Sequence, residues 1–260
     1  MTTKREHISY SELKDWAHCP HYHKKAWVEK VAPFEGNEYT AFGSAIHDVC
    51  EKKLLKEEID EAEVFQIGFN RRLQELVEKN IDVNPKNVEQ MRLAGPEILA
   101  EVEEALGDYF GDYEVFSSEE MLYVPIENFN IFFKVFGDAV VKVGDTYHLF
   151  DWKTCSWGWD SRKKAEKLVT YQLTLYKHFF CLKHKIDPEK VETHFALLKR
   201  TAKKDRVEIF RVTSGPRKTE NALKLLYQAI YNIPKKFTIK NRLHCHKPYP
   251  CKLLNTEHCR

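Results

Sequence analysis

Two aspartates and a lysine near the middle of the chain have the spacing of a hydrolytic metal site. Asp138 and Asp151 flank the segment Val143-Gly-Asp-Thr146, and Gly-Asp is a favoured two-residue hairpin turn. This turn pairs Val143 with Thr146 and puts Asp138 directly opposite Asp151, with Cβ atoms about 5 Å apart on one face of the sheet. Lys153 lies two residues beyond Asp151 and shares that face.

This pairing predicts a bound divalent cation. Two directly opposed carboxylates repel each other, and a cation between them removes that cost. Mg²⁺ and Mn²⁺ suit carboxylate and water ligands. A lysine beside the metal can orient a water molecule that the metal has acidified, or take a proton from it. The alternative is a solvated face on which Lys153 forms an ordinary ion pair with a carboxylate.

Two helical pairs add candidate residues. Gly43-Ser-Ala-Ile-His47 opens a predicted helix, and Glu51 lies one turn further on the same face. His47 could be a third ligand, although a histidine on a helix more often packs or faces solvent. Gln172 and Tyr176 stand four residues apart on the helix after the second strand of the hairpin. They could contact a phosphate or orient the lysine.

The hydrophobic pattern gives the elements that must position these residues. Apolar residues at three- and four-residue spacing predict helices, and β-branched and aromatic runs predict strands. A first helix is expected from Ser9 to Cys19-Pro20, with Ser9 and Glu12 as a capping box. Further helices are expected at 42–58, 61–80, 86–109, 162–184 and 215–232, and strands between 114 and 150, at 190–199 and at 206–212. This order predicts an α/β or α+β domain with a helical insertion at 60–110.

Composition narrows the class of protein. The chain has 260 residues, of which 43% are apolar and 31% charged, with a net charge of +2. These values predict a soluble globular protein of one or two domains. A nucleic-acid partner would require local clustering of the basic residues. With no apolar run long enough for a membrane span and no signal peptide, we expect a cytoplasmic protein with reduced thiols.

Four cysteines form a candidate metal cluster. Cys245, Cys251 and Cys259 lie in the irregular basic tail, 233–260, and Cys19 stands near the start. Thiolates bind iron–sulfur clusters or Zn²⁺, and flanking histidines leave a mixed Cys/His zinc site open. A metal bound by all four cysteines would cross-link the tail to the first helix. The remaining cysteines are expected to be small core residues: Cys50, Cys155 and Cys181.

A basic segment rich in tryptophan follows the lysine. Rings that stack on bases, next to amines that meet phosphates, are typical of single-stranded nucleic-acid binding. The alternative is a loop with two partly buried tryptophans and a solvated helix start. The candidate binding residues are Trp157, Trp159, Arg162, Lys163 and Lys164.

The order of these motifs resembles the RecB-like branch of the PD-(D/E)XK nuclease superfamily. The resemblance covers about residue 8 to the C-terminus and is carried by Ile8-Ser-Tyr-Ser-Glu-Leu13 with Cys19-Pro20, Gly43-x-x-x-His47, Gly137-Asp138, Asp151-Trp-Lys153 and Gln172-x-x-x-Tyr176. It implies an α/β fold with a central mixed β-sheet flanked by helices, and it leaves the helical stretch 60–110 unassigned. Together with the element order and the cysteines, the predicted fold has a helical insertion and a Cys-rich C-terminal cap.

The resemblance also implies roles for individual residues. It assigns the metal ligands to His47, Asp138, Asp151 and the carbonyl of Trp152. Lys153 becomes the catalytic lysine, Gln172 and Tyr176 the supporting pair, and Glu120 matches the acidic residue of the first strand. Some members of this branch, the AddB-type and CRISPR-adaptation families, hold a [4Fe–4S] cluster with one early and three late cysteines. Cys19, Cys245, Cys251 and Cys259 share that layout, but without the usual Cys-x-x-Cys pair, so structural Zn²⁺ stays an alternative.

The predicted function is that of a Mg²⁺- or Mn²⁺-dependent deoxyribonuclease in one domain, 1–260. An exonuclease on single-stranded DNA ends is favoured, in recombination, repair or DNA processing. Alternatives are a structure-specific endonuclease and a non-catalytic DNA-binding or assembly subunit. The expected partners are DNA and a helicase, recombinase or CRISPR-adaptation protein.

Overall fold

The chain separates into two compact units in a computed structural model that describes residues 5–31, 35–235, 238–246 and 251–259. Unit 1 comprises Met1–Phe34, Leu122–Val135 and Gly215–Arg260, and unit 2 comprises Glu35–Met121 and Phe136–Ser214. Parts of the predicted tail, 236–237, 247–250 and 260, lie outside the described residues.

The described residues form eight α-helices and six strands. The helices are α1 (Tyr10–His18), α2 (Pro20–His23), α3 (Glu38–Leu54), α4 (Glu61–Glu78), α5 (Pro85–Phe110), α6 (Ser161–Ala165), α7 (Lys167–His184) and α8 (Pro216–Asn232). The strands are β1 (His7–Ser9), β2 (Glu114–Pro125), β3 (Phe132–Val143), β4 (Thr146–Cys155), β5 (Val191–Lys199) and β6 (Val207–Val212). A π-helical turn at Lys24–Val28 and 3₁₀ turns at Pro188–Lys190 and Arg242–His244 complete the set.

A mixed sheet lies at the centre of unit 2, which confirms the predicted fold class. Its strand order is β3-β4-β5-β6, and β2 also pairs with β3. Strand β4 is antiparallel to β3 and parallel to β5, and β6 is antiparallel to β5. Successive side chains of a strand point to opposite faces. Phe150 and Trp152 pack into a core with α3, α4 and α5, whereas Asp151 points to the face covered by α7.

The stretch predicted as a helical insertion supplies much of this core. Phe65 and Phe69 of α4 contact the ring of Phe42 in α3, with ring centroids 5.7 and 5.9 Å apart. A Cβ at Gly95 would clash with the ring of Phe65, so the absence of a side chain lets α5 approach α4. These helices share one buried cluster with residues of β3, β4 and β5.

Unit 1 is formed by the first and last segments of the chain. Strand β1 pairs in parallel with the start of β3, His7 with Phe132 and Ser9 with Lys134. Helix α1 begins as predicted, since Ser9 Oγ accepts the N–H of Glu12 at 3.3 Å, and it ends before Cys19. The Glu12 carboxylate does not close the expected capping box. It accepts instead from His23 Nε2 at 2.7 Å.

Two predicted helices have different bounds in the structure. The helix expected at 42–58 ends at Leu54 and begins at Glu38, because Asn37 and Thr40 form a reciprocal cap around its first turn. The helix expected at 162–184 is two helices, because Glu166 has an extended backbone with φ −60° and ψ 129°. No helix within the described ranges is both long enough and apolar enough to cross a membrane.

Candidate functional site

The hairpin of β3 and β4 has the predicted register. Its ladder runs from Val143 opposite Thr146 to Ala139 opposite Phe150. Gly144 has a φ of 56°, the left-handed value that favoured two-residue hairpin turns require at their first position. Beyond this ladder the N–H of Trp152 donates to Asp138 Oδ2 at 2.8 Å. The side chain of Asp138 therefore lies beside the backbone that follows Asp151.

Asp151 is buried, and its two carboxylate oxygens have different partners. Oδ1 accepts a hydrogen bond of 2.7 Å from Gln172 Nε2, which also donates to Tyr176 Oη at 3.0 Å. Oδ2 forms a close ion pair with Lys153 Nζ. The carboxylate is therefore held by an amide on one side and by an ammonium group on the other.

Helix α3 brings His47 to the same place. Its Nδ1 lies 3.7 Å from Asp138 Oδ2. One turn earlier, a Cβ at Gly43 would lie 3.3 Å from Thr154 Oγ1 of β4, tighter than most such contacts. Glycine at this position therefore allows the helix to approach the strand closely enough for His47 to reach the carboxylates.

The electrostatics of the three side chains suit metal ligands. Burial raises the pKa of both Asp138 and Asp151 to about 6, although the charge of Lys153 opposes this shift. Burial also lowers the pKa of His47 to about 4, and Lys153 adds to that effect. At neutral pH both carboxylates are therefore ionised and the imidazole is neutral. Metal binding requires this protonation state.

The donor set fits a hard divalent ion. The carboxylate oxygens of Asp138 and Asp151 match the preferences of Mg²⁺ and Mn²⁺, and His47 adds one nitrogen ligand. Within the described ranges, the ligand atoms of His47, Asp138 and Asp151 do not all lie within 4.8 Å of one another. An ion that keeps several of its water ligands tolerates this wider spacing.

We expect the stabilisation of the chain by Mg²⁺ to increase with pH. A carboxyl pKa raised from 3.8 to about 6 favours the protonated metal-free fold. The stabilisation of the metal-free fold by these protons is complete below the ordinary carboxyl pKa. It is lost as the pH rises through about 6. Mg²⁺ competes with these protons, so the Tm increment it gives should be small below about pH 5 and larger above about pH 7.

Thermal unfolding with Mg²⁺ and with EDTA measures this increment in Tm. A Mg²⁺ increment in Asp138→Asn equal to that of the unaltered chain would contradict it.

The basic segment after β4 presents one tryptophan to solvent. Trp157 is 73% exposed. Trp159 packs instead against Phe195 and Phe210, with ring centroids 5.1 and 6.1 Å away. Its ring supports the sheet, so the two tryptophans that the sequence grouped together have different surroundings.

The three basic residues of this segment also differ. Arg162 and Lys163 are exposed on α6, and Lys163 Nζ lies 4.7 Å from the ring centre of Trp159. Lys164 forms an ion pair with Glu208 of β6 at 2.5 Å. Arg162 and Lys163 therefore remain the more accessible cations for a phosphate backbone.

The four candidate cluster cysteines line one cavity in unit 1. This cavity has a volume of about 310 Å³ and is also lined by His18, His21 and His244. Cys19 Sγ accepts the backbone N–H groups of Tyr22 and Asn241 at 3.5 and 3.4 Å. The N–H of Cys251 donates to the carbonyl of Cys245 at 2.8 Å, which brings these two residues together. Cys259 also lines this cavity.

All seven cysteines of the chain are free. No three of the cavity's Sγ atoms lie within 4.8 Å of one another among the described residues. The cysteines outside the cavity are buried or half-buried, and burial raises the pKa of both Cys155 and Cys181 to about 11.

Comparison with protein families identifies this architecture. The sequence profile of the PD-(D/E)XK nuclease superfamily matches residues 7–253. The chain belongs to this superfamily. Among solved structures, the chain is similar to a protein from Eubacterium rectale named "Putative exonuclease", with 14% identity and a TM-score of 0.58 over 96% of this chain and 86% of that one.

A second similar structure, SSO0001, is 12% identical with a TM-score of 0.40, over 89% of this chain and 78% of that one. At such low identity, structural likeness supports the fold alone. The comparison with curated proteins gives no match.

A further acidic residue of this PD-(D/E)XK protein lies near the site. Glu120, the sequence-based candidate on β2, accepts instead from His184 Nε2 at 2.7 Å and pairs with Lys183. Its neighbour Glu119 is exposed and acts electrostatically on both His47 and Asp138. Glu119 has a φ of 47°. This irregularity in the strand changes which of two adjacent glutamates faces the site.

Proposed function

We propose that the chain is a divalent-metal-dependent deoxyribonuclease of the RecB-like branch, acting as an exonuclease on single-stranded DNA ends. One observation carries this proposal. Asp138, Asp151 and Lys153 meet at the end of one hairpin, and His47 Nδ1 lies 3.7 Å from Asp138 Oδ2. Superfamily membership supports the same chemistry.

The residues that would hold the ion are His47, Asp138, Asp151 and the carbonyl of Trp152. When bound, Mg²⁺ or Mn²⁺ supplies Lewis acidity that polarises a phosphodiester and acidifies a water molecule. The chain contributes the orientation of the ligands. Gln172 holds Asp151 Oδ1, which leaves Oδ2, beside Lys153, as the oxygen that would bind the ion. Tyr176 accepts the second N–H of Gln172 and fixes the orientation of this amide.

Lys153 acts next to these ligands. Its ammonium group lies against Asp151 and is 31% exposed, so it also reaches solvent. From this position it orients the attacking water, and its positive charge stabilises the negative charge that develops on the phosphate. Glu119 adds negative charge near His47 and Asp138, which favours cation binding.

Single-stranded DNA is the substrate that the neighbouring surface supports. The exposed ring of Trp157 offers a stacking platform for a base, and Arg162 and Lys163 offer cations for phosphates. Trp159 and Lys164 support this surface through their contacts with Phe195 and Glu208. A helicase, recombinase or CRISPR-adaptation partner would supply such ends during recombination, repair or DNA processing.

We propose further that Cys19, Cys245, Cys251 and Cys259 hold a [4Fe–4S] cluster. Cys19 Sγ accepts hydrogen bonds from two backbone N–H groups. Hydrogen bonds of this kind stabilise a ligating thiolate. We propose a cytoplasmic location, where such thiols would stay reduced.

Digestion of end-labelled single strands tests the proposed activity. We expect release of nucleotides from one labelled end, complete loss of cleavage in EDTA, and recovery with Mg²⁺ or Mn²⁺. Circular single-stranded DNA should resist digestion. A ladder of products from the circle would indicate an endonuclease, and binding without cleavage under every metal condition would indicate a non-catalytic subunit.

A further inference from the structure

A second group of ligating side chains lies in unit 2 on the opposite face of the sheet from Asp151. His148 is on β4, and Glu192 and His194 are on β5. Their ligand atoms all lie within 4.8 Å of one another. Because His148 pairs with Glu192 and Phe150 pairs with His194 in the parallel register, the three side chains point from one small area of the sheet.

The geometry points to a binding site for a first-row divalent ion of the Zn²⁺ type at His148, Glu192 and His194. His148 Nδ1 lies 3.1 Å from His194 Nε2, and Glu192 Oε2 lies 3.8 and 3.9 Å from these two nitrogens. In the plane of the three atoms, the point equidistant from them is about 2.1 Å from each, a usual Zn–N and Zn–O bond length.

The carboxylate distances support a shared ion over direct hydrogen bonds. At 3.8 and 3.9 Å, Glu192 Oε2 is too far from either imidazole nitrogen to accept a hydrogen bond, yet it faces both. Without a metal, the two histidines share one hydrogen bond. Two imidazoles and a carboxylate form a known zinc ligand set that leaves a fourth position for water.

Neighbouring residues orient two of the three ligands from outside. Tyr109 Oη lies 3.2 Å from Nδ1 of His194, the nitrogen that does not face the ion position. Arg211 Nη2 lies 2.8 Å from Glu192 Oε1, which leaves Oε2 directed at the histidines. Such outer contacts are typical of metal sites, where they fix the ring orientation and the carboxylate rotamer.

The environment keeps the ligands in the protonation state that a metal requires. Burial lowers the pKa of His194 to about 3, and it also lowers the pKa of His148. Both imidazoles are therefore neutral at neutral pH. Phe110 covers them on the α5 side, with its ring centre 5.1 and 5.3 Å from theirs. The 24% exposure of the Glu192 side chain leaves a path for the ion.

Cobalt and zinc titrations of the full chain test this site. We expect Co²⁺ to give visible d–d bands without thiolate charge-transfer bands, and Zn²⁺ to displace it. His148→Gln and Glu192→Gln should each weaken binding at least about 100-fold. Tyr109→Phe, which leaves every ligand in place, should weaken it about 10-fold. Matched controls are His178→Gln, a half-buried histidine on α7, and Glu189→Gln, an exposed glutamate before β5.

The outcomes separate this site from the others. The Asp151→Asn variant should keep the Co²⁺ bands, so a failed nuclease assignment does not affect the result. Equal Co²⁺ affinity in His148→Gln, Glu192→Gln and the unaltered chain would overturn the proposal. A Co²⁺ spectrum that shows only thiolate charge-transfer bands would also overturn the proposal, because it would assign all of the binding to the cysteine cavity.

Discussion

Asp151→Asn should reduce DNA cleavage by about 10³-fold or more while leaving DNA binding largely unchanged. The substitution keeps the shape of the side chain, and its oxygen can still accept from Gln172. It removes the negative charge directed at the ion and at Lys153. Because burial raises the pKa of Asp151, its ionised form destabilises the metal-free fold. The variant should therefore unfold at the same or a higher temperature at neutral pH.

The matched control is Asp145→Asn in the turn of the same hairpin. Its side chain is 88% exposed, and the same change of charge there should leave cleavage intact. Initial rates on end-labelled single strands and binding by fluorescence anisotropy measure the two effects. Asp151→Asn cutting at the rate of Asp145→Asn would show that this carboxylate has no part in the reaction.

Protein purified without oxygen should be brown and contain about four iron atoms per chain. Cys19→Ser should lose this colour as completely as Cys259→Ser does, although the two residues lie at opposite ends of the sequence. The reason is that both line the same cavity. Iron analysis and the visible spectrum measure the loss, and thermal unfolding measures the stabilisation lost with it.

Cys155→Ser provides the control for this second experiment. Cys155 is half-buried on β4 in unit 2, and burial raises the pKa of its thiol, so it should be inert and the variant should stay brown. A colourless protein whose thiolates hold stoichiometric zinc would refute the iron assignment. So would a brown colour that survives Cys19→Ser.

The part of the site that local chemistry determines could be predicted from the sequence. A two-residue turn fixes the register of its hairpin, so Gly144-Asp145 alone places Asp138 near Asp151. Alternation along β4 then places Lys153 on the same face. The end of α1 was equally predictable, because Pro20 restricts the residue before it.

Other features depend on packing between distant segments. The close approach of α3 to β4 at Gly43 and Thr154 sets the position of His47, and no local pattern predicts it. The break at Glu166 contains neither proline nor glycine. Alternation along β2 cannot tell Glu119 from Glu120, because Glu119 has left-handed backbone geometry.

The trio of His148, Glu192 and His194 was missed for the same kind of reason. Glu192 and His194 share a face of β5 at two-residue spacing, which is the only local signal. His148 joins them through the parallel pairing of β4 and β5, whose register follows the packing of the connecting helix α7 and not a turn. A sequence-based search for metal sites in parallel sheets therefore needs the strand register first.

The division of the chain between its units has a consequence for biosynthesis. Unit 2 ends at Ser214, whereas unit 1 combines Met1–Phe34 and Leu122–Val135 with the segment that begins at Gly215. A ribosome therefore releases every residue of unit 2 before helix α8, which contacts α1, emerges. Vectorial folding would bury Asp151 first, while Cys19 stays accessible to solvent until Cys245, Cys251 and Cys259 emerge. The iron–sulfur cluster that we propose could then be loaded only after these three cysteines have left the ribosome.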